Sequence, residues 1–174
     1  DTSCPIGEHT WSSAYWSAQS VINLAQHMLD GAKHAYALCR PSEHHAFGEV
    51  AGGFYFMNNS AIAAQYLSKR DARVAILDVD VHHRNGTQSI FYDRNDIFTI
   101  SLNADPARFY PFFWGQGNEY GQGYGFNQNL PLARKTRDED YLSKLQTALE
   151  HIHFFGADTI VIVLGLDAAI SDPF

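Results

Sequence analysis

The sequence predicts an α/β fold built on a central parallel sheet flanked by helices. Short apolar, largely β-branched runs such as Val74–Leu77 and Thr159–Leu164 have the length and composition of strands buried on both faces. Segments with apolar residues at helical spacing lie between such runs, and this alternation implies βαβ units. No internal repeat, low-complexity tract or domain linker interrupts the pattern.

Residues 1–7 read as a loop. Ser12 or Ser13 is placed to cap a helix that runs to about Asp30, where Val21, Leu24, Ala25 and Met28 form an apolar face and Gly31 ends it. Ala35 to Cys39 reads as a short buried strand leading to Arg40-Pro41 and then His44-His45. Gly48 to Asn59 is a glycine- and aromatic-rich loop. A helix from Asn59 or Ser60 through Leu67 follows, with Lys69-Arg70 suiting the negative end of its dipole. Next come the strand opening at Val74, a short helix around Thr87–Tyr92 and a strand Ile97–Leu102. Asn103 to Asn129 reads as one long loop, a length that usually serves function. Thr136-Arg137-Asp138-Glu139 has the pattern of a capping box, opening a helix through Leu142, Leu145, Leu149 and Ile152 that stops at Gly156. A final strand, Thr159–Leu164, ends in Gly165-Leu166-Asp167.

Composition sets outer bounds. A chain of 174 residues can enclose a sizeable core. The net charge of -7 argues against broad nucleic-acid binding and is compatible with a cationic substrate. Two cysteines, Cys4 and Cys39, do not make a disulfide framework, and Cys39 reads as a small core residue. No stretch is long and apolar enough to span a membrane and no signal peptide opens the chain, so the cytoplasm is the expected location.

The chemistry concentrates at Leu77-Asp78-Val79-Asp80-Val81-His82-His83-Arg84-Asn85-Gly86. Open α/β sheets place ligand sites at the carboxyl ends of their strands. Asp78, Asp80 and His82 are two apart, so extended backbone points them to one side. A carboxylate and an imidazole on one side can hold a divalent cation, and zinc accepts both. Taken alone, a strand with a solvated polar end explains Asp-x-Asp-x-His equally well. The strand ends at His44-His45 and Asp167 repeat the layout and weigh against that bland explanation. His27, His34, His151 and His153 lack such a setting and read as ordinary histidines.

Asp78-Val79-Asp80-Val81-His82-His83, with Arg40-Pro41-Ser42-Glu43-His44-His45-Ala46 before it and Leu164-Gly165-Leu166-Asp167 after it, resembles the histone deacetylase family. Phe109-Tyr110-Pro111-Phe112-Phe113-Trp114-Gly115 looks most like the bacterial acetylpolyamine amidohydrolases within it. The resemblance implies a three-layer αβα domain of the arginase/deacetylase type. Residues 1–174 would then be a single partial domain, incomplete at its C-terminal end, because the family continues well beyond Asp167.

The implied activity is zinc-dependent removal of acetyl groups from amines, either acetylated polyamines or acetyl-lysine, through water activated by the metal. Asp80, His82 and Asp167 match the zinc ligands, one zinc per chain. His44 and His45 match the paired active-site histidines, with His45 the main base and acid and His44 its electrostatic partner. Asp78 matches the residue that orients His44. Asn85 matches the orienting partner of His45, where some members carry Asp; a neutral amide there leaves the His45 pKa lower. Gly53, Phe54 and Tyr110 fall at substrate-lining positions. Asp78, Ser101 and Leu102, with the backbone of Asp80 and His82, match an inner structural potassium site, and Phe91, Arg94 and Ile97 an outer one. A homodimer is expected by analogy.

The sequence departs from the family at several points. Ser42-Glu43 replaces Pro-Gly, Asn103-Ala104 replaces His-Gly, and Arg84 stands where glycine is usual. If that glycine needs positive φ, Arg84 strains the turn, by about 1 kcal/mol or more, and places a cation close to the zinc. The family's transition-state tyrosine lies beyond these residues; loss of such a donor typically costs about 10²–10³ in rate, so the 174-residue chain alone is expected to be a poor deacetylase. The competing readings are a degenerate, non-catalytic metal-binding fragment and, more remotely, an arginase-like binuclear manganese hydrolase. The apolar Val79 and Val81 oppose the second.

Overall fold

The computed structural model describes residues 4–40, 44–70, 72–121 and 125–172. In chain order they form α1 (Thr10–Leu29), α2 (Asn59–Ser68), β1 (Val74–Asp78), α3 (Asn85–Phe91), β2 (Ile97–Ser101), β3 (Asn127–Asn129), α4 (Asp138–Phe155) and β4 (Thr159–Val163). The strands make one sheet in the order β3-β2-β1-β4, with every pairing parallel.

Strand alternation divides the core into two layers. Val74 and Ile76 point to one face, where they pack with Ala25 of α1, Ala61, Ala64 and Leu67 of α2, and Phe91 of α3. Ala75 and Leu77 point to the other, packing with Phe98, Ile100 and, from α4, Ala148, Ile152 and Phe155. This is the expected αβα sandwich. All five residues of β1 are buried, so its continuous apolar run is that of an inner strand covered on both sides.

The helix ends follow local chemistry. Asn58 caps α2, its side chain accepting from Ala61 N at 3.0 Å. Gly156 ends α4 in the left-handed conformation, at φ 71°. The Thr136 capping box does not form. Thr136 Oγ1 donates instead to Ala133 O at 2.7 Å, and α4 starts at Asp138 after an uncapped Arg137. The negative charges of Asp138, Glu139 and Asp140 compensate by facing the positive helix end.

Two expectations are corrected. Ala35–Cys39 is not a buried strand: it has no regular structure, and Tyr36 and Leu38 are exposed. An apolar run becomes a strand only beside a partner edge, and among the described residues no strand lies next to it. Conversely, β3 lies inside the stretch read as one long loop. Asn127-Gln128-Asn129 carries no apolar signal, because its asparagines bury their side chains in a polar network rather than in the core. At the opposite edge β4 is only half covered. Val163 packs in the core, while Ile160 and Ile162, on the other face, are exposed because α4 lies over β2.

Candidate active site

β1 ends at Asp78, and the chain continues past the sheet edge through Asp80 and His82. β4 delivers Asp167 from the neighbouring strand. Gly165 makes this approach possible: a Cβ there would stand 2.3 Å from Asp80 Oδ2. The three side chains converge. His82 Nδ1 lies 2.8 Å from Asp167 Oδ2 and 3.1 Å from Asp80 Oδ1, and one ligand atom from each residue falls within 4.8 Å of the others. Backbone N–H groups fix the carboxylates: Val81 N donates to Asp167 Oδ1 and His82 N to Asp80 Oδ1.

The electrostatics favour a cation at this point. Hydrogen bonds to Asp167 and then Asp80 raise the His82 pKa to about 9. Burial pushes Asp80 up. For Asp167 burial acts in the same direction, but the bonds from His82 and Val81 outweigh it and hold the pKa at about 2. Two carboxylates around one imidazole therefore retain a proton that a metal ion can replace. An Asp-His-Asp donor set of this kind, partly buried, has the ligand types that zinc accepts.

His44 and His45 are both buried beside this cluster. His44 Nδ1 donates to Asp78 Oδ2 at 2.8 Å, and His45 Nδ1 donates to Asn85 Oδ1 at 2.7 Å. With both Nδ1 atoms donating, the two Nε2 atoms face each other at 3.1 Å, where a proton taken up by one can be shared with the other. His44 Nε2 is also 3.9 Å from Asp80 Oδ1, which joins the histidine pair to the Asp-His-Asp cluster. The His45 pKa falls to about 2, through burial first and the neighbouring His44 second, against the upward pull of the Asn85 bond. Asp78 also accepts from Asp80 N at 3.0 Å, so it braces both the histidine pair and the segment that carries Asp80 and His82.

Aromatic rings wall the site. Tyr110 lies 5.0 Å from His45 and 6.2 Å from His82, centroid to centroid, and a cis peptide joins it to Pro111. Gly53 packs against His45, where a Cβ would meet the ring at 2.5 Å, and Phe54 follows at φ 75° with its ring exposed. Two wall residues had no assigned role in the sequence reading: Phe109, 5.0 Å from His82, and Tyr55, 5.9 Å from His45. Both neighbour residues that were assigned, which was the available signal.

Ser101 and Leu102 are fully buried beside Asp78, and Ser101 Oγ has no hydrogen-bond partner among the described residues. Arg84 departs from expectation. Its φ is −74°, so no left-handed strain arises. Its side chain is buried and turned toward β3 rather than the Asp-His-Asp cluster, donating to Asn127 Oδ1 at 3.3 Å and Gln128 O at 3.0 Å. The Ser42-Glu43 departure lies outside the described residues. Among the described residues Asp80, His82 and Asp167 form the one metal-competent cluster, which leaves the binuclear reading without a second set of ligands.

A parallel sheet ending in an Asp-His-Asp cluster beside a buried histidine pair defines an α/β protein with a candidate metal site. The chain belongs to the histone deacetylase domain family, whose description matches residues 1–174. It is 48% identical to an acetylpolyamine amidohydrolase of Burkholderia pseudomallei, covering 99% of this chain and 51% of that protein. It is 46% identical to acetylpolyamine amidohydrolase 1 of Pseudomonas aeruginosa over the same shares. The crystal structure of the acetylpolyamine aminohydrolase from Burkholderia pseudomallei superposes with a TM-score of 0.96, covering 99% of this chain and 51% of that one. A histone deacetylase homologue from Aquifex aeolicus gives 0.89 at 31% identity, covering 97% and 46%. The chain thus spans about half the length of the curated relatives it matches.

Proposed function

We propose that this chain is the metal-binding part of a zinc-dependent amidohydrolase that removes acetyl groups from acetylated amines. The observation that carries the reading is the convergence of Asp80, His82 and Asp167 within 4.8 Å beside the His44–His45 pair. Both sets are needed for amide hydrolysis, and a structural metal site would need only the first.

Asp80, His82 and Asp167 would hold the ion, which when bound supplies Lewis-acid polarisation of an amide carbonyl and a lowered pKa for water. The chain's own groups do the rest. His45, kept neutral by burial, accepts a proton at Nε2, the atom that faces His44. Asn85 fixes the ring of His45 and Asp78 that of His44. His44 shares the proton across the 3.1 Å contact and so spreads the charge, and the pair can return a proton to the departing amine. Tyr110, Phe109 and Gly53 stand against the His45 and His82 rings as a largely apolar wall that suits a narrow acyl-amine chain, with Phe54 exposed beside Gly53.

The relatives named acetylpolyamine amidohydrolase favour small acetylated amines as substrates, with acetyl-lysine as the alternative. A cytoplasmic location and a homodimer belong to the same proposal; no helix among the described residues is long and apolar enough to cross a membrane. The unpartnered Ser101 Oγ beside Asp78 supports a structural potassium ion at Asp78, Ser101 and Leu102. The half-covered β4 and the chain's half-length match to its relatives support residues 1–174 as part of one larger domain. Because Arg84 is turned away from the ligands, it gives the degenerate-fragment reading no support.

The test is metal analysis of the complete protein and its Asp167→Ala variant, followed by hydrolysis of a monoacetylated diamine. One zinc per chain with turnover, both lost in the variant, supports the reading. Zinc without turnover on any acetylated amine overturns it.

A further inference from the structure

We propose that Glu119 is a positioning residue for the reaction: its carboxylate clasps the turn that aims Phe109 and Tyr110 at His82 and His45, and so sets substrate affinity. The inference rests on the amidohydrolase reading and deepens it.

The wall-forming turn is conformationally costly. Phe112 and Phe113, just beyond Tyr110-Pro111, have φ of 43° and 68°, a region that residues with a Cβ rarely occupy. Such a conformation persists only where its surroundings hold it. Within the turn, Phe112 N donates to Phe109 O and Phe113 N to Pro106 O. The external hold begins at Gly115, which lies so close to the buried His83 that a Cβ would stand 2.6 Å from His83 Cγ.

Glu119 fastens this contact. Gly115 N donates to both of its carboxylate oxygens at 3.1 Å, and Gln116 N donates to Oε1 at 2.9 Å. Gln88 Nε2, from α3, donates to Oε2 at 2.6 Å. Bonds to an ionised carboxylate are roughly twice as strong as neutral ones. The other end of Gln88 reaches the metal strand: its Oε1 accepts from His83 Nε2 at 3.1 Å, and from Asn127 and Asn129 at 3.1 and 2.9 Å. Gln88 is buried, and His83 directly follows the metal ligand His82. A continuous path of hydrogen bonds therefore runs from the wall turn through Glu119 and Gln88 to the metal strand. Neither hydrophobic core cluster contains a residue of 113–120.

The experiment compares the complete protein with Glu119→Ala and Glu119→Gln. In the alanine variant, KM for a monoacetylated diamine should rise about tenfold with kcat nearly unchanged, the signature of lost ground-state binding. Amide hydrogen exchange at Gly115 and Gln116 should accelerate while zinc content stays at one per chain. Glutamine keeps an acceptor oxygen for the two N–H groups but sets its own N–H2 against Gln88 Nε2, so it should restore only part of the affinity. Unchanged exchange at those amides, an unchanged KM, or loss of zinc in the alanine variant would each overturn the positioning role. If the native protein turns over no acetylated amine although exchange rises in the variant, the clasp is structural alone and the amidohydrolase reading fails with it.

Discussion

Placing a methyl group at Gly165 tests whether the Asp80–Asp167 approach governs metal binding. The added Cβ would lie 2.3 Å from Asp80 Oδ2, 2.5 Å from its Cβ and 2.6 Å from its Cα. Ordinary contact begins near 3.4 Å, so Asp80 or the β4 terminus must retreat by about 1 Å. Two of the three clashes are with atoms that no side-chain rotation removes. Zinc–oxygen bonds tolerate deviations of about 0.2 Å, so a shift of this size takes Asp80 out of bonding range. Affinity should fall by about 100-fold or more, the upper end of what lost supporting interactions cause. Gly86→Ala is the matched control. Its Cβ would meet Ala46 O at 2.3 Å and His45 C at 2.6 Å, displacing the histidine pair rather than the ligands. Both variants should lose stability by about 1–3 kcal/mol through overpacking, which equalises the general damage. Zinc affinity, read by competition with a chromogenic chelator, should fall in Gly165→Ala and stay within a few-fold of native in Gly86→Ala, while turnover falls in both. Native-like zinc affinity in Gly165→Ala would refute the geometry of the centre.

Titration and packing give further outcomes. In the metal-free protein His82 has its pKa raised from 6.5 to about 9, so its stabilisation is complete below pH 6.5 and lost as pH rises through 9. Thermal melts between pH 6 and 10 should therefore show a falling Tm that His82→Ala removes. Asn85→Asp places a carboxylate on His45 Nδ1 and should raise the His45 pKa from about 2, by roughly 1–3 units, readable as an imidazole NMR titration. Leu67→Ala empties a buried position between α2 and β1 and should cost about 2–5 kcal/mol in denaturant unfolding, with zinc affinity retained.

What the sequence made legible follows from which physical term dominates at each place. β1 and β2 were readable because burial of apolar side chains drives them, β4 because its β-branched run pairs with β1 although only half covered, and α4 from its apolar spacing. The metal and histidine residues were readable because chemistry restricts their types and strand geometry restricts their spacing. The failures share a cause in tertiary context. Ala35–Cys39 has the composition of a strand but no partner edge among the described residues, so composition alone misleads. β3 has a partner edge and no strand composition; Asn127 and Asn129 are held by bonds from or to Thr99, Gln88, Arg84 and His83, none of which is near in sequence. Arg84 is the same case seen from its other end. Read in sequence it is a cation two residues from a metal ligand. In the fold it caps Gln128 O and Asn127 across the sheet, and its backbone is unstrained. Burying a guanidinium is tolerable only where acceptors already stand; β3 supplies one each for NH1 and NH2, while Nε has no partner among the described residues. The anomalous arginine and the unrecognised polar strand therefore explain each other: Asn127 has a buried role because Arg84 is there to be satisfied, and Arg84 can leave the metal centre because β3 is there to receive it.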